Sequence, residues 1–242
     1  MYYCDVNQKE AESVLKREGI TALLPIGAVE VHGNHLPLDT DCRLAQGVAE
    51  KVSHKLGDER CVILPCVPYG QVWSLGNVPG TINIPDDILT EYLFEIAKGL
   101  CRAGVKRLAV INAHVGNGNA IKNVARKAYG SLDMKIYYFT YPGASEVIEQ
   151  VCETDRCHGV FFHADEIETS YMLYLAPDKV DMEKAVCRKV SFPKDYEYTP
   201  VRWDEFMDTA VLGDATKASA EKGKKIIDAV VENICEILKG EK

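Results

Sequence analysis

Apolar runs of strand length alternate with helical patterns along the whole of this 242-residue chain. The segments ITALLPIG (20–27), CVILPC (61–66), RLAVI (107–111) and MKIYYFTY (134–141) are almost continuously apolar, as expected of strands buried on both faces. Helices are predicted over 8–18, stopped by Gly19, and over 43–56, stopped by Gly57. Asp86 reads as the N-cap of a helix running to about Ala103, with Gly104 as its stop. Further helices are predicted over 119–129, 144–153 and 164–176, the last closed by Pro177. The final one, about 216–239, carries Ile226, Val230, Ile234 and Leu238 along one face. This alternation predicts an α/β fold with a mostly parallel central sheet covered on both sides. Residues 191–215 read as an irregular aromatic insertion within a single domain spanning 1–242, since neither a linker nor a repeat interrupts the pattern. Phe192, Tyr196, Tyr198, Trp203 and Phe206 suit it to an interface, a substrate lid or simple packing over the core.

Composition narrows the function class. Hydrophobic residues make up 47% of the chain and charged residues 26%, enough for a sizeable core and incompatible with disorder. Asp and Glu number 36 against 28 Lys and Arg, a net charge of −8, and the cations form no stripe. Nucleic acid and anionic membrane are therefore not expected partners. The N-terminus lacks an apolar signal stretch and no run approaches membrane-spanning length, so a soluble cytoplasmic protein is expected. Nine cysteines, odd in number and without a CxxC pair, read as reduced structural thiols. Cys152 and Cys157 stand close enough for a loop disulfide or an adventitious metal site, and neither is favoured.

In sheets of this kind ligands bind at the carboxyl ends of the strands, and unusual polar residues cluster there. After the first strand comes AVEVHGNHLPLDTD. Glu30 and His32, two apart on an extended segment, point to the same side, and a Pro-containing loop can fold Asp41 back toward them. Carboxylates and imidazole on one loop suit a divalent ion such as zinc, manganese or iron. After RLAVI, NAHVGNGN places Asn112 and His114 at the strand exit, and His114 fits as a further ligand. Ahead of an apolar helix, FFHADEIETS brings His163, Glu166 and Glu168. One acid there is explained by capping, with His163 or Asp165 as the cap, whereas several buried carboxylates call for a counter-charge such as a metal pair.

The segments LPIGAVEVHGNHLPLDTD, VPGTINI, INAHVGNGN and HADEIETS occur in the order of the four signature blocks of the creatininase (creatinine amidohydrolase) family, which the chain resembles over residues 20–175. The resemblance implies a three-layer α/β/α sandwich and a homo-oligomer, with a hexamer as the expected form. It further implies two divalent ions, with zinc first and manganese or iron as alternatives. Such a hydrolase uses a dinuclear-metal-activated water to cleave a C–N bond in a small-molecule amide, lactam or formamide. By the same match Glu30, His32, Asp41 and His114 are metal ligands, Asp41 bridges both ions, Ser74 contacts substrate, and His163 shuttles a proton.

Two departures shape the expectation. Creatininase carries a metal-binding glutamate two residues after the histidine matching His114, where this chain has Gly116. Glu168 is expected to complete the second ion's coordination instead, so that Glu30, Asp41 and His114 hold one ion and His32, Asp41 and Glu168 the other. Creatininase also holds creatinine with a Trp-Asp pair at positions occupied here by Gly159 and Val160. The HVGN variant resembles branches acting on other substrates: formamide deformylases, a peptide-processing branch and inosose-ring hydrolases. Ser74, Trp73 and Asn112 are expected to orient the substrate, with His163 as general acid. His35 is expected to hold a ligand carboxylate or the loop, and His54 and His158 to lie on the surface. The alternatives are a keto-cyclitol ring hydrolase, creatinine amidohydrolase proper, a cysteine-nucleophile hydrolase, and a non-catalytic binding domain on the same scaffold.

Overall fold

Thr21–Ile26 (β1), Cys61–Ile63 (β2), Arg107–Asn112 (β3) and Lys135–Phe139 (β4) form an all-parallel sheet in the computed structural model, which describes residues 1–240. The order is β2-β1-β3-β4, with Leu23 facing Ile63 on one side and Ala109 on the other. All six residues of β1 are buried, which explains its unbroken apolar run. Helices α2 (Thr40–Leu56), α5 (Ala144–Val151), α6 (Glu166–Leu175) and α7 (Ala220–Lys239) pack on one face against Leu23, Ile63, Ala109 and Ile111. Helices α1 (Gln8–Leu15), α3 (Asp86–Arg102) and α4 (Gly118–Ala128) pack on the other against Ala22, Leu24, Ile26, Leu108 and Val110. The result is the three-layer α/β/α arrangement.

The crossover from β1 to β2 uses α2 and that from β2 to β3 uses α3, on opposite faces. β2 and β3 therefore flank β1 on opposite sides, and a crevice opens where β1 and β3 end side by side.

Several element ends differ from expectation. α2 starts at Thr40, so Asp41 stands in a helical first turn rather than on a loop. The N-cap of α3 is Pro85, whose backbone is already extended, and Asp86 is the first helical residue, where its charge meets the helix dipole. α7 begins at Ala220 with Ser219 as its cap, because 215–217 close into a separate 3₁₀ turn. The aromatic segment is not free of structure: Gly213–Asp214 (β6) pairs with Cys187–Arg188 (β5). Trp203 and Leu212 anchor a third apolar cluster over Ala28, Val72 and Leu75 at the carboxyl end of the sheet.

Leu23, wholly buried at the centre of β1, is the residue whose truncation should be felt most. Leu23→Ala is expected to cost about 2–5 kcal/mol of stability, read from the midpoint of urea unfolding.

Candidate metal centre

β1 leaves the sheet through Gly27, where an added Cβ would lie 2.4 Å from the backbone nitrogen of Cys42. That close approach lets the first turn of α2 rest on the strand exit and delivers Asp41 there. Beyond it, Val29 bridges to Ile82, which keeps the chain extended and turns Glu30 and His32 to the same side. His114 arrives from the end of β3, and His163 and Glu168 from the start of α6. Glu30, His32, Asp41, His163 and Glu168 are all buried.

These side chains converge. His32 Nε2 lies 3.4 Å from both Asp41 Oδ1 and Glu168 Oε2. His114 Nδ1 lies 2.9 Å from Glu30 Oε1 and 3.3 Å from Asp41 Oδ2. Two donor sets result, Glu30/Asp41/His114 and His32/Asp41/Glu168, each with ligand atoms within 4.8 Å of one another and Asp41 common to both. A third set within the same reach is Glu30/His32/His163.

The donor chemistry fits divalent cations. His32 Nδ1 is bonded to the Glu30 carbonyl at 3.1 Å, His114 Nε2 to the Gln71 carbonyl at 2.7 Å and His163 Nε2 to the Val31 carbonyl at 2.8 Å. A carbonyl only accepts, so each ring donates its N–H outward and keeps the lone pair of its other nitrogen for the cluster. Glu30 Oε1, His32 Nε2 and Asp41 Oδ2 are buried without a hydrogen-bond partner among the described residues, the condition a bound cation relieves. Without one, protons take its place. Burial disfavours charge on His32, yet Glu168 and Asp41 outweigh it and raise its pKa well above the usual histidine value. Burial likewise opposes charge on His114, and Glu30 and Asp41 overcome it. Burial alone raises the Asp41 carboxyl, and His32 and His114 reverse this to hold it low.

Supporting residues hold the ligand groups in place. Ala164 adopts a left-handed backbone (φ +49°), and its N–H donates to Glu168 Oε2 at 2.7 Å. Asp165 caps α6, accepting from the N–H groups of Ile167 at 2.9 Å and Glu168 at 3.2 Å. His35 reaches Thr169 Oγ1 at 2.9 Å and so ties the first loop to α6 without touching a ligand carboxylate. Burial and the neighbouring His32 lower its pKa to about 4, so it stays neutral. Glu166 faces away from the cluster and binds Lys222 Nζ at 2.6 Å and the backbone N–H groups of Glu153 and Thr154.

The centre opens into a cavity of about 420 Å³. Ser74 and Trp73 line it. Phe161, Tyr196 and Trp203 form an aromatic wall, locked by the Trp203 Nε1–Tyr196 hydroxyl bond at 2.7 Å, and Trp203 packs edge-on against His163. Gly118, Asn119 and Lys122 of α4 also line it.

Asn112 does not reach this cavity: its amide is consumed by the His114 carbonyl at 2.7 Å, Thr140 Oγ1 at 2.9 Å and Asn117 Nδ2 at 3.2 Å. It shapes the His114 loop and is not placed to touch substrate. His158 is not a free surface residue either, since its Nδ1 accepts from Val160 and Phe161 and its ring packs on Phe161 and Phe192. Gln71 and Asn117, which orient His114 and join 70–71 to the exit of β1, were invisible in the sequence. Their roles depend on contacts more than 40 residues apart, and the GNGN motif was the only local sign. All nine cysteines are free, and none lines the cavity.

The creatininase (creatinine amidohydrolase) family model matches residues 5–238. The creatinine amidohydrolase of Pseudomonas putida is 28% identical over 98% of this chain and 95% of its own length. The mycofactocin precursor peptide peptidase of Mycolicibacterium smegmatis is 30% identical over 90% of this chain and 83% of its own. The 3-dehydro-scyllo-inosose hydrolase of Thermotoga maritima is 25% identical over 96% and 80%. A solved creatininase superposes with a TM-score of 0.86 at 28% identity over 99% of this chain and 96% of its own. Zinc–zinc and manganese creatininase structures give 0.85 and 0.82, both at 26% identity over 99% and 97%.

A Cβ at Gly116 would meet the Gln71 carbonyl oxygen and His114 Nε2, both at 2.4 Å. Gly116→Ala is therefore expected to push His114 off its carbonyl and destabilise the fold by about 1–3 kcal/mol in urea. Uptake of zinc or manganese, measured by elemental analysis after dialysis, should fall with it.

Proposed function

The chain belongs to the creatininase family, and from that premise we propose that it is a metal-dependent hydrolase cleaving a C–N bond of an amide, lactam or formamide in a small molecule. The observation that carries this reading is the pair of donor sets sharing Asp41, beside a cavity lined by Glu30, His114 and Glu168. Glu30, Asp41 and His114 would hold one ion and His32, Asp41 and Glu168 the other, with Glu168 serving where Gly116 leaves no side chain. Zinc leads among the candidates because imidazole and carboxylate ligands suit it, and manganese and iron share that preference. Bound there, divalent ions supply a water of lowered pKa and polarise a carbonyl oxygen.

The chain's own groups do the rest. His163 keeps Nε2–H on the Val31 carbonyl and turns Nδ1 toward the cavity, 4.0 Å from Glu30 Oε1 and Glu168 Oε2. From there Nδ1 can carry a proton to a leaving nitrogen. Phe161, Tyr196 and Trp203 exclude water from that side, and Trp73 and Ser74 orient the substrate.

Creatinine itself is disfavoured as substrate. Gly159 has open space about it and Val160 is 64% exposed, so neither replaces the Trp-Asp grip. Opening of a keto-cyclitol ring is the second reading, favoured by the likeness to the inosose hydrolase, and it asks the same of the site. A cysteine nucleophile has no support at a cavity that no cysteine lines.

The protein is further read as a homo-oligomer, to which the exposed Ile88 and Tyr92 on one side of α3 would contribute. A cytoplasmic location is supported by nine unpaired thiols. No helix among the described residues is long and apolar enough to cross a membrane.

Chelation should abolish turnover across a panel of formamides, lactams, creatinine and keto-inositols, and reloading with zinc or manganese should restore it. Thiol alkylation should leave turnover intact, and the reverse pattern would overturn the metal reading. Glu168→Gln should lose one of two ions by elemental analysis, and retention of both at unchanged affinity rules out its role as a ligand. His163→Asn should lower kcat by about 10²–10⁴ with metal content unchanged.

A further inference from the structure

Two thiols that the hydrolytic reading leaves unused meet next to Asp41. Cys42 follows Asp41 in the first turn of α2, and Cys66 lies just beyond β2. Cys66 Sγ is 3.9 Å from the Cys42 carbonyl oxygen and 3.7 Å from that of Val67. Cys42 Sγ is 3.5 Å from the Ala28 carbonyl oxygen and 3.6 Å from that of Pro68. The thiols also bond to one another: contact with Cys66, ahead of burial, raises the Cys42 thiol far above its usual range. Both side chains are partly buried, and Pro65, Pro68 and Tyr69 around Cys66 are exposed, which opens the pair to a small solute. The surroundings make this pair a lever on the cation site. Val67 bridges to Ile26, accepting from the Gly27 N–H at 3.1 Å and donating to the Pro25 carbonyl at 3.0 Å, so Cys66 is pinned beside the end of β1. Against Cys42 there is no slack either, since a Cβ on Gly27 would lie 2.4 Å from its nitrogen and 2.6 Å from the Asp41 carbonyl carbon. Ala28, whose carbonyl takes the Cys42 S–H, stands two residues before Glu30. A bond between the sulfurs removes that S–H donor and draws the two atoms from non-bonded contact to about 2.05 Å. With Cys66 pinned to the strand, the movement falls on the first turn of α2 and the exit of β1, which carry Asp41 and Glu30.

We propose that Cys42 and Cys66 form a redox switch, in which hydrogen peroxide joins them in a disulfide that displaces Asp41 and weakens metal binding. The exposed loop presents Cys66 to the oxidant first. Its thiol and one peroxide give a sulfenic acid and a water as the O–O bond breaks. The Cys42 sulfur then attacks the Cys66 sulfur, the S–S bond forms, and the sulfenic oxygen leaves as a second water. Two thiols have lost two electrons and two protons, and one peroxide has become two waters. A dithiol reverses the bond by exchange. The proposal rests on Glu30 and Asp41 holding metal ions, and it describes how that same site is regulated.

The test uses the full chain, reduced and loaded with zinc, then exposed to hydrogen peroxide that is removed with catalase. Peptide mapping by mass spectrometry should find Cys42 joined to Cys66. Zinc affinity, read by competition with a chromophoric chelator, should weaken by about 10- to 100-fold and recover after dithiothreitol. Cys66→Ser, a change on the exposed loop, should bind zinc as the reduced parent does and lose the response to peroxide. Cys42→Ser should lose the response as well. A fall in affinity that survives Cys66→Ser overturns the proposal, because peroxide then acts elsewhere. Oxidation that stops at single cysteines or joins a different pair overturns it too. So does a Cys42–Cys66 bond that leaves zinc affinity unchanged, an outcome that would leave the metal reading intact. Reduced protein that takes up no zinc counts against the metal reading itself and removes the switch with it.

Discussion

Three carboxylates, Glu30, Asp41 and Glu168, are buried at one point where two parallel strands end, and the rest of the molecule is organised around that constraint. Negative charges removed from water repel one another strongly in a medium of low polarity and must be matched by cations or protons. His32 and His114 stand between them, held by carboxylate charge in a state that favours protonation when no ion is present. The same arrangement accepts divalent ions when the histidines give up those protons. The sheet supplies the rigidity. β1 is buried along its whole length, and its register with β3 sets the exit carrying Glu30 and His32 against the exit carrying His114.

Orientation of the ligands is left to the backbone. Three carbonyls, from Glu30, Val31 and Gln71, each take the outward N–H of one histidine and so decide which nitrogen faces the cluster. Gly116 is part of that device, because any side chain there collides with the Gln71–His114 contact. A glutamate at position 116 and the present setting of His114 are thus incompatible, and Glu168 occupies space beside His32 from the opposite side of the crevice. The left-handed turn at Ala164 is the local strain that brings a backbone N–H onto that carboxylate.

Above the centre, a family scaffold carries walls of its own. The aromatic segment closes over the carboxyl end of the sheet through Trp203, and the loop bearing Gly159 and Val160 contributes nothing comparable. Binding selectivity in such a site comes from a few polar groups placed against an apolar surface. The polar side chains lining this cavity beyond the cation cluster are Gln71, Ser74, Asp86, Asn119 and Lys122.

Much of this was legible in the chain. Unbroken apolar runs marked four strands, and β1, β2 and β3 are buried as parallel strands covered on both faces require, whereas β4 lies at the sheet edge with Lys135 and Tyr138 exposed. Glycines after 18, 56 and 103 marked helix ends, and Glu30, His32, Asp41, His114, His163 and Glu168 stood out as chemistry following buried elements. Local signals also misled. Asp86 has the composition of a cap, but Pro85 before it already has the extended backbone that a cap position needs. Asn112 has the composition of a substrate contact, but Thr140, just after β4, and Asn117, at the N-cap position of α4, absorb its amide. Residue type and spacing therefore determined which side chains could form a cation site and which elements carry them. Only the folded chain decided that Asp41 belongs to both donor sets and that Glu166 turns away while Glu168 turns in. Those outcomes depend on which groups meet across distant segments, and a linear pattern does not contain that information.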